Sequence, residues 1–362
     1  MSDPVTVAHA LGSYPVYIQP GMLGRLDAVL SDRLPDRRVA MIADAAVHQL
    51  YLAGQLGPIS WTGETLTVPP GENSKSRDSW ARLTDQLLAR RFGRDSGLIG
   101  LGGGVAGDLT GFVAATYLRG IPYVLVPTTL LAMLDASVGG KTGVNAPQGK
   151  NLIGAFHPPS AVIADPHALA TLPEREYRSG LAEAVKHGLI ADAAYFEWLE
   201  AEAPGILRRD PESLASLVRR SVEIKAEVVS EDELESGRRA ILNAGHTVAH
   251  ALELMSNYQL AHGEAVALGL VAECEISERL GIAPKGVRQR VAGLLGRLGL
   301  PLRYPGPMDG ALLLEHMSAD KKNRAATIHF ALVSSVGQMH HPAGWTIPVS
   351  ADVIRGSVAT LT

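Results

Sequence analysis

Residues 97–108 read GLIGLGGGVAGD, and the rest of the fold can be read outward from them. Gly97 to Leu101 is a short apolar run of the length of a buried strand, and it enters a cluster of glycines without a polar break. The next residues open a helical pattern. A strand that passes through Gly102, Gly103 and Gly104 into a helix lets a phosphate approach the backbone, where free N–H groups and the positive helix end favour an anion. The spacing is not that of the usual dinucleotide fingerprint, although the context is right for a pyrophosphate. A plain tight turn is the bland alternative.

Similar units flank this one. Arg38–Ala43 reads as an apolar strand ending at Asp44, a carboxylate that suits a ribose hydroxyl or a helix cap equally well. Leu66–Val68 precedes the turn signal Pro69-Pro70-Gly71, and Glu72 and Lys75 follow in a loop. From Asp78 to Arg91 the pattern is helical, with Trp80, Leu83, Leu87 and Leu88 on one face. Tyr123–Val126 and Ala161–Ala164 are further strands. Strands separated by helical segments predict a parallel sheet of βαβ units, an α/β Rossmann-like domain over residues 1–172. Beyond Pro173 helical patterns dominate, so residues 173–362 are expected to form an all-α C-terminal domain, apart from one late strand-like run, Thr327–Val333.

Composition narrows the function. The chain has 362 residues, 46% of them hydrophobic and 19% charged, with a net charge of −4. Two packed domains are expected, and neither disorder nor binding to nucleic acid is. An anionic ligand must then be held by a local cluster of cations. Cys274, the one cysteine, cannot form an internal disulfide and reads as a small core residue. The N-terminal stretch shows no basic segment followed by an apolar one, and the most apolar stretch, Tyr123–Val138, is interrupted by Pro127, two threonines and Asp135. No membrane span and a cytoplasmic location are the expectation.

The middle of the chain is denser in candidate chemistry. DASVGGKTGVN, residues 135–145, continues to KNLIG, residues 150–154. Its glycines read as a loop under tight steric demands, and its lysines and asparagine suit an oxyanion; the spacing from the upstream glycines is wrong for a P-loop. In GLAEAVK, residues 180–186, Glu183 and Lys186 share a helix face, where a surface ion pair is the simplest reading. NAGHTVAH, residues 243–250, puts His246 and His250 four apart on a helix, and spacing alone selects both as metal ligands. His262 follows in His262-Gly263-Glu264. Lys225 and Arg239 flank Glu231-Asp232-Glu233, and Asp320-Lys321-Lys322 comes late; a solvated face would explain each.

Taken together these motifs resemble the 3-dehydroquinate synthase family, from about Asp44 to Val333. The strongest stretches are GGGVAGDLTGFVAATYLRGIPYVLVPTTLLAMLDASVGGKTGVN, KNLIGAF, TLPEREYRSGLAEAVKHGLI, LNAGHTVAHALE and HGEAVALGL. The resemblance implies an N-terminal Rossmann-like domain and a helical C-terminal domain. It implies Glu183, His246 and His262 as ligands of a divalent metal, zinc or cobalt, which moves His250 to the substrate. Asp135, Lys141, Lys150, Asn151, Lys186, Lys225, Arg239, Asn243, His250 and Lys321 fall where the family binds substrate. NAD would be held by Asp44, Glu72, Lys75, Gly103, Gly104, Asp108, Thr128 and Thr129, and Arg119 would reach across a homodimer interface. The implied reaction turns 3-deoxy-D-arabino-heptulosonate 7-phosphate into 3-dehydroquinate and phosphate. It runs through transient oxidation by NAD, β-elimination, reduction and intramolecular aldol closure, in the shikimate pathway. This chain departs from the family at Met133-Leu134-Asp135-Ala136-Ser137 and at Ala249, neither of which removes a ligand. A related sugar-phosphate cyclase or a metal-dependent polyol dehydrogenase would share much of this set, but glycerol carries no charge for Lys141 and Lys150 to bind.

Overall fold

The computed structural model describes residues 3–52, 59, 61–318 and 327–362. They form two compact units: residues 1–172 with 214–230, and residues 173–213 with 231–362. The sequence reading cut the chain once, after Leu172, whereas the helix segment Leu214–Ser230 packs with the first unit.

In the first unit, continuous apolar runs become the buried strands of a sheet covered on both faces. The strands are β1 (Val5–His9), β2 (Gly12–Ile18), β3 (Arg38–Asp44), β4 (Glu64–Val68), β5 (Ser96–Gly102), β6 (Tyr123–Pro127) and β9 (Ala161–Ala164), in the order β1-β2-β9-β6-β5-β3-β4. Every residue of β5, β6 and β9 is buried. β1 pairs antiparallel with β2, and the other neighbours are parallel. Helices α1 (Leu26–Arg33), α2 (Ala45–Tyr51), α3 (Arg77–Ala89) and α4 (Gly104–Thr116) supply the crossovers. From β3 the chain first adds β4 on one side and then β5 on the other. Ligands of open parallel sheets bind at the strand ends beside such a reversal. In α3, Leu83 and Leu87 are buried as expected, but Leu88 points to solvent, 51% exposed.

The glycine-rich stretch read as a loop is instead an antiparallel hairpin, β7 (Lys141–Ala146) with β8 (Gly149–Phe156). Two of its glycines, Gly143 and Gly154, serve close strand approach. Gly143 pairs with Gly154, and a Cβ on Gly143 would lie 2.6 Å from the Ile153 carbonyl oxygen. The helix α7 (Pro211–Glu231) is tied to the first unit near its end, where Ser230 Oγ accepts from Ala8 N at 3.2 Å.

The second unit is mainly helical: α5 (Glu174–Ala191), α6 (Ala193–Leu207), α8 (His246–Met255), α9 (His262–Arg279), α10 (Val287–Arg297), α11 (Gly310–Ser318) and α12 (Ala351–Val358). The late apolar run is broken into β10 (His329–Phe330) and β11 (Val333–Ser335), which pair with β13 (Ile347–Pro348) and β12 (Gln338–Met339). Cys274 is a buried free thiol in α9, pushed to a higher pKa by its burial. No described helix is long and apolar enough to cross a membrane.

α9 approaches its neighbours through glycines. A Cβ on Gly263 would overlap the Ser179 carbonyl oxygen of α5, and one on Gly269 would overlap the carbonyl oxygen of Gly245, just before α8. Ser179 Oγ also accepts from Gly263 N at 2.9 Å. Gly263→Ala must therefore push α9 off α5, and overpacking of this kind costs about 1–3 kcal/mol. The expected result is a lower denaturation midpoint, and a midpoint equal to that of the parent protein would contradict the contact.

Candidate active site

The glycine loop closes over the reversal point of the sheet. Gly102 has φ +148, and a Cβ there would lie 2.8 Å from Ala106 Cβ and 3.0 Å from Asp44 Cβ, so the ends of β5 and β3 nearly touch. Gly103 caps α4 without a side chain, leaving the first N–H groups of the helix open to an anion. Gly102, Gly103, Gly104 and Gly107 line a pocket with Ala132 and Ala136. Thr128 N donates to the Gly102 carbonyl at 2.9 Å, and Thr129 Oγ1 accepts from Ala132 N at 3.2 Å, so these threonines frame the loop. Asp44 caps α2, its Oδ1 accepting from Ala46 N at 2.9 Å and Val47 N at 3.3 Å. These residues fit a dinucleotide: small side chains where a phosphate must approach, and a carboxylate at the neighbouring strand end.

Lys75 is buried beside this loop. Its Nζ pairs with Asp108 and donates to Asn151 Oδ1 at 2.5 Å. Burial pushes the Asp108 carboxyl up, against the pull of Lys75. Asn145 couples two further members: its Nδ2 donates to Glu72 Oε1 at 2.8 Å, and its Oδ1 accepts from Asn151 N at 2.9 Å. Asn145 ends the motif at residues 135–145 but has no assigned role in the sequence. Lys225 Nζ donates to both the carbonyl oxygen and Oδ1 of Asp135, each at 2.6 Å. Lys141 is exposed, and Lys150 is half-buried on the hairpin. Arg119 is exposed in a turn where it and Leu118 have φ of +71 and +50, values that cost non-glycine residues about 1–3 kcal/mol each.

In the second unit α5 buries Glu183 and Lys186 completely enough that the pair cannot be a surface ion pair: their exposures are 0% and 1%. Glu183 Oε2 contacts Lys186 Nζ, while Oε1 lies 3.6 Å from His246 Nε2 and 3.7 Å from His262 Nε2. Those nitrogens are too far for hydrogen bonds, and among the described residues neither Glu183 oxygen accepts one. One atom each from Glu183, His246 and His262 lies within 4.8 Å of the others. A buried carboxylate with one oxygen on Lys186 and the other facing two imidazoles fits a divalent ion bonded at about 2.0–2.2 Å to N and O donors. His250 is outside this cluster, its ring edge-on to His246 with centroids 5.6 Å apart. Spacing within α8 had paired the two, whereas the tertiary fold brings in His262 from α9.

The electrostatics follow the geometry. Burial pushes the Glu183 carboxyl up, but Lys186 with His262 and His246 outweighs it and holds the group well below the usual carboxylate range. Burial and Lys186 together hold His246 well below the ordinary histidine value. Burial opposes the charge on His262 as well, yet Glu183 and Glu253 raise it to about 10.

Arg239 is 2% exposed, and its guanidinium donates to the Glu233 carbonyl at 2.5 Å. The turn that delivers it is built on Asp232, whose carboxylate accepts from the N–H groups of Ser236, Gly237 and Arg239 at 2.9, 2.7 and 2.9 Å. Asn243 Nδ2 donates to Glu235 Oε1 at 2.7 Å, a partner that sequence reading missed. Lys75, Lys186 and Lys225 each lie against a carboxylate, whereas Arg239 donates to a neutral backbone carbonyl. Lys321 lies outside the described residues.

Family models agree with this construction. The model described as 3-dehydroquinate synthase N-terminal matches residues 65–179, and that described as 3-dehydroquinate synthase C-terminal matches residues 180–323. The chain belongs to the 3-dehydroquinate synthase family. A 3-dehydroquinate synthase of Halorhodospira halophila is 49% identical over 90% of this chain and 91% of its own. Among solved structures, a 2-deoxy-scyllo-inosose synthase complexed with carbaglucose-6-phosphate, NAD+ and Co2+ superposes with a TM-score of 0.88 at 26% identity. The 2-epi-5-epi-valiolone synthase of Streptomyces hygroscopicus subsp. jinggangensis, with NAD+ and Zn2+ bound, does so with 0.85 at 30%. Each of these two matches covers 98% of both chains. The family's α/β plus helical fold is the one described above.

Proposed function

We propose that the chain is a 3-dehydroquinate synthase, a carbon–oxygen lyase that converts 3-deoxy-D-arabino-heptulosonate 7-phosphate to 3-dehydroquinate and phosphate. It would act as a cytoplasmic homodimer in the shikimate route to aromatic amino acids. The observation that carries the reading is the pair of buried cations, Lys186 and Arg239, in the unit that also holds the Glu183–His246–His262 cluster. A polyol dehydrogenase would use such a cluster, but an uncharged polyol gives no return for burying two cations. A substrate with a phosphate at one end and a carboxylate at the other does.

Glu183, His246 and His262 would hold a divalent ion, zinc in the first instance and cobalt as the alternative. Asp44, Gly103, Gly104 and Lys75, with Glu72, Asp108, Thr128 and Thr129, would hold NAD. When bound, NAD supplies a hydride acceptor and donor at the substrate's C5, and the ion supplies Lewis-acid polarisation of the C5 oxygen, worth several kcal/mol.

The chain's own residues bind and orient. Lys186, Lys225, Arg239 and the hairpin cations Lys141 and Lys150 would neutralise the phosphate and the carboxylate. Asp135, Asn151, Asn243 and His250 would hold hydroxyl groups, and Lys321 would add a late contact. Fixing both ends of the open-chain sugar matters most for ring closure, where orientation can supply about 7–11 kcal/mol. No side chain is assigned as the sole base, since the leaving phosphate can itself take the proton from C6. Arg119 is proposed to reach the partner subunit from the exposed turn in which it and Leu118 both have positive φ.

Chelation tests the reading. Protein stripped of metal should release no phosphate from 3-deoxy-D-arabino-heptulosonate 7-phosphate in the presence of NAD, and Zn2+ or Co2+ should restore release. Phosphate release that persists in the stripped protein would overturn the assignment.

A further inference from the structure

The two imidazoles facing Glu183 are held very differently. His246 opens α8, is 12% exposed at its side chain, and has Nδ1 3.1 Å from the Ala244 carbonyl. This backbone carbonyl holds its ring with Nε2 toward Glu183. His262 opens α9, and its side chain is 31% exposed, so packing constrains it less. The polar group at its Nδ1 is the carboxylate of Glu253, with Oε1 at 3.6 Å. Glu253 is 5% exposed and sits two helical turns after His246 on α8, the helix that packs on α9.

We propose that Glu253 is the positioning residue for His262, holding its Nδ1–H so that Nε2 faces Glu183. This rests on the metal reading above. A neutral imidazole has one donor nitrogen and one acceptor nitrogen, and the partner of the first decides which is left for an ion. A carboxylate at Nδ1 keeps the proton there and leaves the Nε2 lone pair free, and it makes the ring a better donor. The 3.6 Å separation is longer than a hydrogen bond, so the positioning contact requires the ring and the carboxylate to close by about half an ångström. α8 then serves the site twice: its first residue offers one ligand, and its second turn onward aims the other.

The test is metal affinity of the full chain, measured by competition with a chromophoric chelator for Zn2+, together with the visible spectrum of the Co2+-loaded protein. Outer-shell partners of this kind are worth about 10- to 100-fold in affinity, so Glu253→Leu should weaken Zn2+ binding by that factor and shift the Co2+ bands. Glu253→Gln keeps an acceptor oxygen in place and should recover most of the affinity and the parent spectrum. Glu253→Asp keeps the charge but draws it back by a methylene, and should bind more weakly than Glu253→Gln. Parent affinity and spectrum in Glu253→Leu would overturn the proposal. If Glu253→Leu does not fold, Glu253→Asp binding more tightly than Glu253→Gln overturns it instead, because charge and not placement would then be what counts. Glu183→Gln separates the two readings: if it too keeps parent affinity, the metal site itself is wrong, whereas loss there with no effect at Glu253 defeats the positioning role alone.

Discussion

Glu183→Gln should yield a protein that no longer retains a divalent ion and whose kcat falls by about a thousandfold or more. The Glu183 carboxylate is fully buried, and its two oxygens face Lys186 and the paired histidines. The amide keeps the shape but removes the charge that would bind the ion. Losing several kcal/mol of Lewis-acid stabilisation corresponds to three orders of magnitude or more in rate, at about 1.4 kcal/mol per tenfold. Stability should fall as well, because Lys186 loses its counter-charge in the interior, and breaking a buried pair costs about 3–5 kcal/mol. The double variant Glu183→Gln/Lys186→Met separates the effects, since it should regain stability without regaining metal. Elemental analysis decides the outcome: stoichiometric zinc in purified Glu183→Gln would contradict the ligand assignment.

Lys225→Met should lower kcat/KM by about 100-fold while the affinity for NAD stays within about twofold. Lys225 is 5% exposed and is held on Asp135 by two contacts of 2.6 Å, so its ammonium is already placed and desolvated. A hydrogen bond between charged groups contributes about 1.5–3 kcal/mol, roughly 10- to 150-fold. Asp135→Asn should loosen the same lysine, so the double variant should lose less than the two single losses combined. Steady-state kinetics with NAD saturating would show this, and a kcat/KM within threefold of the parent value would remove Lys225 from the substrate set.

Much of the first unit is legible in the chain because its signals are local. A buried parallel strand is an unbroken apolar run, and Ser96–Gly102 runs directly into the glycines that start α4. Local signals also mislead. The glycines of residues 139–154 look like a loop, but Gly143 and Gly154 are there to let two strands approach. Helix periodicity put Leu88 on the buried face of α3, near a helix end where the strip has already turned to solvent.

The candidate site is harder, because its members meet through tertiary contacts. Spacing within α8 singles out His246 and His250, and nothing local brings in His262. The contact is made by Gly263 and Gly269, which let α9 press on Ser179 and on Gly245. Asp232 reads as part of an acidic run, yet its carboxylate gathers the three N–H groups that shape the turn before Arg239. Residues 214–230 carry an amphipathic helical pattern that names no partner; buried Leu217, Val218 and Val222 accompany their packing with the first unit.

This chain is expected to close a carbocycle while recycling its nucleotide. The most direct measurement is the number of product molecules formed per NAD, by mass spectrometry and phosphate release. Metal-loaded protein would receive 3-deoxy-D-arabino-heptulosonate 7-phosphate in large excess over NAD. The expected result is 3-dehydroquinate and phosphate in equal amounts, with many turnovers per NAD and no build-up of NADH. Accumulation of NADH in step with substrate consumed, without phosphate release, would contradict it and point to a dehydrogenase.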